Sequence, residues 1–190
     1  YFLYAFKERY PGITIEVFER SNKNLFKMLT DGSLHLAFSS ADIPGDMGLA
    51  IHEIRRDRLG IAVHKNHPLA AKRELSVEDL ASVPMVLFPK GYSQYEHYHR
   101  LMEQSGREPN VLLYTEHVNT VYSCISAGVA AGFMFRSAAQ EYPHIKYFPM
   151  EELPNASIRL IWSKSFYVPY AARTFIKICK ETAQGLQDTF

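Results

Sequence analysis

RLGIAVHKNHPLAAKRELSVEDL, residues 58–80, carries the signals that decide the fold. It opens on a short apolar run, Leu59–Val63, bounded by charged residues, which is typical of a buried strand. Pro68 ends that run because proline supplies no backbone donor. Ser76 then caps a short helical turn with acidic residues at its start, where the helix dipole favours them. A second apolar run, Met85–Phe88, follows, so the stretch predicts a crossover from one lobe into another.

The segments before this stretch alternate between helical and extended patterns. Apolar residues at helical spacing predict helices in Tyr1–Tyr10 and in Leu25–Leu29. Ile13–Val17 alternates apolar with polar residues, as a half-buried strand does, and Leu34, Leu36 and Phe38 indicate the next strand. Leu49–Val63 is predicted to form two strand segments interrupted by a charged patch. This order of helices and strands predicts a parallel sheet with helical crossovers.

The remainder of the chain repeats the alternation and then returns. Helical patterns separate three further predicted strands, which are Met85–Phe88, Val111–Tyr114 and Phe133–Phe135. Ile158–Trp162 is predicted as a strand, and the residues after Pro169 as a final helix. These last two elements have no partner unless the chain comes back to the lobe in which it began.

Composition excludes several classes of protein. The chain has 190 residues, of which 47% are hydrophobic and 13% aromatic, enough to bury a core. A formal net charge of +1 argues against a dedicated nucleic-acid surface. Cys124 and Cys179 lie in apolar, helix-like contexts and are interpreted as reduced core residues. No apolar run is long enough to span a bilayer, no export signal is present, and the first residue is Tyr1. Because the chain does not begin with Met, we expect a fragment or a processed product, and we also expect the protein to be cytoplasmic.

Four blocks of sequence, in order, resemble one family. They are FKERYPGI (6–13), LTDGSLHLA (29–37), HPLA with VEDL (67–70 and 77–80) and SAGVAAG (126–132). Over nearly its whole length the chain resembles the effector-binding domain of LysR-type transcriptional regulators. His35, Ala130 and Phe135 depart from the family pattern, which usually has Asp, Gly and Pro there. These departures concern the pocket rather than the fold.

The resemblance implies an α/β fold of two lobes, similar to periplasmic binding proteins of type II. Each lobe would be a mostly parallel sheet flanked by helices, with two crossing hinge segments between them. Lobe one would comprise residues 1–60 and 161–190, and lobe two residues 61–160. The implied partners are a small-molecule effector in the inter-lobe cleft, a second copy in a homodimer or tetramer, and DNA. DNA would be bound only through an N-terminal helix-turn-helix that would precede Tyr1, and no membrane is involved.

Candidate ligand residues lie where strands end and helices begin, because ligands of open α/β sheets bind there. Lobe one supplies Ser21, Asn22, Ser39 and Ser40, and lobe two supplies Phe88, Lys90, Gly91, Asn119, Thr120 and Phe135. Hydroxyls, amides and backbone donors favour a small anion, most simply a carboxylate. A second interpretation stays open, in which Ser21, Asn22 and Thr120 are plain helix caps. Lys90 also suits a solvated surface and Phe135 also suits core packing.

Metal binding and catalysis find little support in the sequence. The two histidine pairs, His64 with His67 and His97 with His99, lack further ligands at metal-binding spacing and are interpreted as surface or turn residues. The chain has no nucleophile elbow, zinc-protease, P-loop or dinucleotide motif. We therefore expect the protein to bind no cofactor and no metal, and we do not expect it to be an enzyme. The main alternative is an exported solute-binding protein of a transporter, which shares the architecture; an enzyme on the same fold is the other.

Overall fold

A computed structural model of the chain describes residues 2–150, 153 and 155–187, and the side chains among these up to residue 183. The contacts divide the chain into two units, residues 1–56 with 157–190, and residues 57–156. We call them unit one and unit two. The lobe boundaries at residues 60 and 161 remain a sequence prediction. Among the described residues, no helix has the length and hydropathy of a membrane span.

Unit one is built from both ends of the chain. Its helices and strands are α1 (Phe2–Arg9), α2 (Asn22–Thr30), β1 (Ala37–Ser39), the first part of β2 (Leu49–His64), β7 (Asn155–Ser163) and α7 (Tyr170–Gln187). β1 runs antiparallel to β7, which lies beside β2. The chain therefore returns to its starting unit in β7 and α7.

Alternation along β7 gives unit one a core on each face of its sheet. Leu160 packs on one face in a cluster with helices α1 and α7, whereas Ile161 packs on the other face with α2. Successive side chains of a strand point to opposite faces, so both faces are covered by helices. Trp162 and the half-buried Ile13 and Ile15 pack against the α1–α7 cluster.

Unit two comprises the rest of β2 and the middle of the chain. After a single 3-10 turn at Pro68–Ala71 come α3 (Val77–Ser82), β3 (Met85–Leu87), α4 (Ser93–Gln104), β4 (Val111–Tyr114), α5 (Val118–Ser126), β5 (Ala131–Phe135), α6 (Arg136–Gln140) and β6 (Ile145–Pro149). β3 is parallel to both β4 and β5, while β2 is antiparallel to β5 and to β6. The pairing is thus mixed rather than mostly parallel as expected, because the chain also pairs antiparallel along β2. The carboxyl ends of the parallel strands β3, β4 and β5 lie at one edge of the sheet.

The capped helix predicted after Pro68 is confirmed as α3. The Ser76 hydroxyl accepts a hydrogen bond from the Asp79 amide at 3.3 Å, and the Asp79 carboxylate accepts one from the Ser76 amide at 3.0 Å. This reciprocal pairing satisfies two backbone donors that the helix start would leave open. Leu80 is buried beneath it.

Two predicted strands differ from the structure. Residues 13–20 have no regular secondary structure, although Ile13 and Ile15 are half-buried as their alternation indicated. Leu49–His64 is one continuous strand of 16 residues rather than two segments. The charged patch does not interrupt it, because Glu53, Arg56 and Arg58 are exposed while Ile54 between them is buried.

Candidate functional site

In unit one, a hydrogen bond joins the carboxyl end of β1 to the start of α2. The Ser39 hydroxyl donates to the Asn22 side-chain oxygen at 2.8 Å and accepts from the Ala41 amide at 3.0 Å. Ser39 is only 8% exposed, which is low for a serine, and these contacts satisfy it. The structure therefore brings together two of the residues predicted from separate elements, while Ser40 lies beside them, half-buried.

The first turn of α2 has the features of an anion site. Ser21 stands at the N-cap position, but its hydroxyl makes no capping hydrogen bond. The first turn contains no acidic residue, and Lys23 within it is exposed. The amides of a first helical turn lack partners within the helix and lie at the positive end of its dipole. This turn is therefore open to a negatively charged group.

Arg159 adds a positive charge to the same region, and it is not among the residues predicted from the sequence. It lies on β7 directly opposite Ser39 in the antiparallel pairing with β1. Its guanidinium donates to the Ala41 carbonyl and to the Asp42 carboxylate, each at 3.0 Å. The signal in the sequence was a lone arginine within the apolar strand Ile158–Trp162, where a charged residue needs a local partner.

In unit two, the predicted residues lie at the edge where β3, β4 and β5 end. Parallel strands end at the same edge of their sheet. The turn that holds Phe88, Lys90 and Gly91 therefore lies at the same edge as the start of α5 and as Phe135. The Thr115 amide donates to the Leu87 carbonyl at 2.9 Å, which fastens the turn after β4 to the end of β3.

The residues at this edge differ in how open they are. Phe88 is 8% exposed, packs in the core and stacks on Tyr92 with ring centroids 5.1 Å apart, so little of its ring is open to a ligand. Phe135 is half-buried and begins α6 from the N-cap position. Lys90 is exposed, and Gly91 adopts a φ of 101°, which favours glycine.

The last two predicted residues lie within the first turn of α5. Asn119 is exposed and Thr120 half-buried, and the helix begins after His117 without a side-chain cap. The Thr115 hydroxyl instead accepts from the His117 amide at 3.1 Å. The side chains of Asn119 and Thr120 are therefore not used as caps, which leaves them available for hydrogen bonds to a ligand.

Two buried titratable groups are unsuited to act as a base or a nucleophile. Burial raises the pKa of Tyr122 to about 12 and that of the Cys179 thiol to about 12. Both groups are therefore protonated at neutral pH and supply neither a base nor a nucleophile. Burial lowers the pKa of His97, which favours its neutral form.

Three histidines of the two pairs, His64, His67 and His99, make local hydrogen-bond contacts, whereas the buried Nδ1 of His97 has no partner among the described residues. His67 Nδ1 accepts from the Leu69 amide at 3.2 Å at the start of the 3-10 turn, and His99 lies 3.1 Å from the Tyr114 hydroxyl. Among the described residues, no group of three or more His, Cys, Asp or Glu side chains is placed to hold a metal ion.

Comparison with known proteins identifies relatives over nearly the whole chain. A family model described as the LysR substrate binding domain matches residues 1–184. The regulator TtuA of Agrobacterium vitis is 24% identical over 176 residues, covering 88% of this chain and 58% of TtuA. AlsR of Bacillus subtilis is 24% identical over 183 residues, covering 93% of this chain and 60% of AlsR. The chain thus spans about three fifths of the length of these curated relatives.

Solved structures show the same fold at lower identity. The CcmR regulatory domain of Synechocystis, in complex with 2-PG, matches with a TM-score of 0.77 at 14% identity, covering 96% of this chain and 89% of that one. The effector-binding domain of QuiR, in complex with shikimate, matches with a TM-score of 0.72 at 16% identity, covering 97% and 89%. The predicted two-lobed α/β fold of type II is confirmed by these likenesses.

Proposed function

The chain belongs to the LysR substrate-binding domain family, and on that premise we propose that it senses a small carboxylate metabolite for a regulator of transcription. The effector would contact residues of both units and change their relative orientation. A dimer would pass this change to a DNA-binding segment of the same regulator. Such a regulator acts in the cytoplasm, where its DNA is.

The single observation that carries the anionic class is the open first turn of α2. The Ser21 hydroxyl makes no capping hydrogen bond, the turn has no acidic residue, and Lys23 and Arg159 supply positive charge in the same unit. A carboxylate placed there gains hydrogen bonds from orphan amides and a favourable interaction with the helix dipole. A neutral ligand would gain the hydrogen bonds without the charge interaction.

Unit two supports the same proposal from a second edge. Lys90 follows β3. Asn119 and Thr120 lie in the first turn of α5, and their side chains do not cap the helix. These groups suit the hydroxyls or the second polar end of a small metabolite, while Phe135 offers a half-buried apolar face. In the relative QuiR the bound effector is shikimate, a carboxylate.

The relay requires an interface between two copies of the chain. Exposed apolar side chains on α1 and β4 support such an interface. Leu3 and Tyr4 of α1 are 43% and 73% exposed, and Leu112 and Tyr114 of β4 are 50% and 46% exposed. β4 lies at the end of the strand order in its sheet, next to β3. We propose α1 and the α4–β4 surface as the dimer contacts, because exposed apolar patches of this kind mark interaction sites.

The proposal is tested by ligand-induced stabilisation. The melting temperature would be followed with shikimate, benzoate, malonate, citrate and 2-PG, because a ligand that binds only the folded state raises it. We expect at least one acid to stabilise the wild type. The Ser21→Ala substitution should raise the dissociation constant of that acid about 2- to 12-fold, as expected for loss of a hydrogen bond of ordinary strength.

The matched control is Ser123→Ala, which removes an exposed hydroxyl from the middle of α5. It should leave the affinity unchanged. If no acid stabilises the wild type, the carboxylate-sensing proposal is wrong. If the two serine variants bind the acid equally, the first turn of α2 is not where the anion lies.

A further inference from the structure

We infer that Arg159 selects an anionic effector and that the Asp42 carboxylate occupies Arg159 until the effector displaces it. The inference rests on the proposed function, since it names the residue that sets the charge preference of that same site. It concerns only residues of unit one.

The position of Arg159 follows from the strand pairing. Arg159 and Ser39 are directly opposed in the antiparallel pair of β7 with β1, so their side chains extend from the same face of the sheet. Both also bond to the main chain of Ala41, Ser39 to its amide at 3.0 Å and Arg159 to its carbonyl at 3.0 Å. Ser39 in turn holds Asn22 at the start of α2. The guanidinium therefore belongs to the same polar cluster as the open helix start.

The guanidinium has capacity beyond its present contacts. Nη1 makes both hydrogen bonds, to Ala41 and to Asp42, while a guanidinium carries five N–H donors in a planar fork. Its side chain is 23% exposed, so the remaining donors are partly accessible to solvent. Such a fork binds a carboxylate through two parallel hydrogen bonds.

Asp42 is a partner that is easily exchanged. Its carboxylate pairs with Arg159 at 3.0 Å, yet its side chain is 97% exposed. Ion pairs with a partner this exposed stabilise by little, because water and salt screen them. An effector carboxylate that also gains the α2 amides would replace Asp42, and Asp42 would return to solvent at small cost.

The neighbouring acidic residue does not take this role. Glu53 is close enough for Arg159 to contribute to lowering its pKa, but the larger causes are hydrogen bonds from Ser157 and from Arg56. The Ser157 hydroxyl donates to it at 2.6 Å and Arg56 pairs with it at 3.0 Å. Because Glu53 is held by these two groups, Asp42 is the carboxylate that competes with an effector.

The competing explanation is structural: Arg159 only fastens the turn after β1 through the Ala41 carbonyl. That role would affect the free energy of unfolding and leave ligand preference unchanged. The test must therefore measure preference for charge rather than affinity alone.

The experiment measures the dissociation constants of matched acids and neutral analogues by calorimetry, using shikimate with methyl shikimate, benzoate with benzamide, and malonate with malonamide. Arg159→Gln should reduce the preference for the acid about 10- to 100-fold, the range for a hydrogen-bonded charge. Asp42→Asn should lower the dissociation constant of the acid about two- to fivefold and leave that of the neutral analogue unchanged. Arg173→Gln is the control, since Arg173 is an exposed cation of the same unit that lies over the Tyr167 ring.

The outcomes separate the inference from the proposed function. If the wild type and Arg159→Gln prefer the acid over its neutral analogue equally, the inference is wrong. If both proteins still bind the acid, the proposed function stands. Should Arg159→Gln fail to fold, Asp42→Asn decides, and an unchanged affinity for the acid overturns the inference. Absence of binding by every acid overturns the proposed function, and the inference with it.

Discussion

Asp57 and Ser137, which lie 80 positions apart in the chain, are joined by a hydrogen bond of 2.6 Å from the Ser137 hydroxyl to the Asp57 carboxylate. The second carboxylate oxygen accepts from the Ser137 amide at 3.4 Å and from the Arg58 amide at 2.8 Å. Asp57 therefore caps the short helix α6 from the strand β2. No helix-cap pattern in the sequence indicates this contact, because the cap comes from another element.

Removing this contact should destabilise unit two. We expect Asp57→Ala to lower the free energy of unfolding by about 1–2 kcal/mol, and Ser137→Ala by about 0.5–1.5 kcal/mol, as for other caps and hydrogen bonds. Urea unfolding measures both. The double variant should lose less than the sum of the two, because the residues share one interaction. Glu74→Ala, at an exposed position, is the control and should stay within about 0.5 kcal/mol of the wild type.

Asp79 should contribute a pH-dependent part of the stability. The hydrogen bond from Lys72 at 2.6 Å, followed by the bond from the Ser76 amide, lowers the pKa of Asp79. Its folded pKa lies below its unfolded one, so the stabilisation is present above the unfolded value near 3.8 and is lost as the pH falls through the folded value. Asp79→Asn should therefore lose less stability than the wild type between pH 5 and pH 3, measured by urea unfolding. Identical slopes for the two proteins would contradict this assignment.

Gly60 should not accept a side chain. A Cβ atom there would meet the Phe148 carbonyl oxygen and would lie 2.6 Å from the Tyr147 ring, within the pairing of β2 with β6. We expect Gly60→Ala to cost about 2–4 kcal/mol, because the crowding involves backbone that is fixed by strand pairing. Gly12→Ala is the matched control, since nothing lies within 4 Å of a Cβ at that position. Similar urea midpoints for the two variants would show that β6 moves freely.

The two thiols should differ in reactivity. Cys179 is fully buried, and burial raises its pKa to about 12, so almost none of it is thiolate at pH 8. Cys124 is only half-buried. We expect Ellman's reagent to modify one cysteine in the folded protein and both in urea, and to modify none rapidly in folded Cys124→Ser. Rapid modification of Cys179 in that variant would mean that α7 leaves the core readily.

Tyr4→Glu tests the proposed dimer. Tyr4 is 73% exposed on α1, so a charge there should not affect folding, but it should disrupt an apolar interface. We expect monomers by sedimentation velocity at concentrations where the wild type is dimeric. Tyr170→Glu, at a site that is 71% exposed on α7, is the control and should remain dimeric. Dimers of equal stability in both variants would remove α1 from the interface.

Several elements of the fold followed from local sequence. The spacing of apolar residues gave α2 its inner face of Leu25 and Leu29, and Ser76 with Asp79 defined the start of α3. The strand expected at residues 13–17 did not follow, because alternation reports which side chains are buried and not whether the backbone has a neighbour to pair with. Ile13 and Ile15 are half-buried without it.

Local sequence indicated some of the candidate residues, whose role in binding stays a prediction. The ends of strands and the starts of helices are local features, and they gave Ser21, Asn22, Ser39 and the edge of unit two. Arg159 was missed because its partners, Ala41 and Asp42, are 118 and 117 positions away. Nothing in the sequence around Arg159 states which turn it reaches.

The sequence by itself determined the α/β pattern and the residues at helix starts, because periodicity and capping depend on neighbours along the chain. Its short motifs carried the resemblance to the family, and that resemblance implied the two lobes. Only the tertiary structure decided that Ser39 holds Asn22, that Arg159 faces Ser39, and that Asp57 caps α6. These contacts depend on strand register and on the return of the chain. Both are set by packing and hydrogen bonding between segments far apart in sequence, which no local pattern encodes.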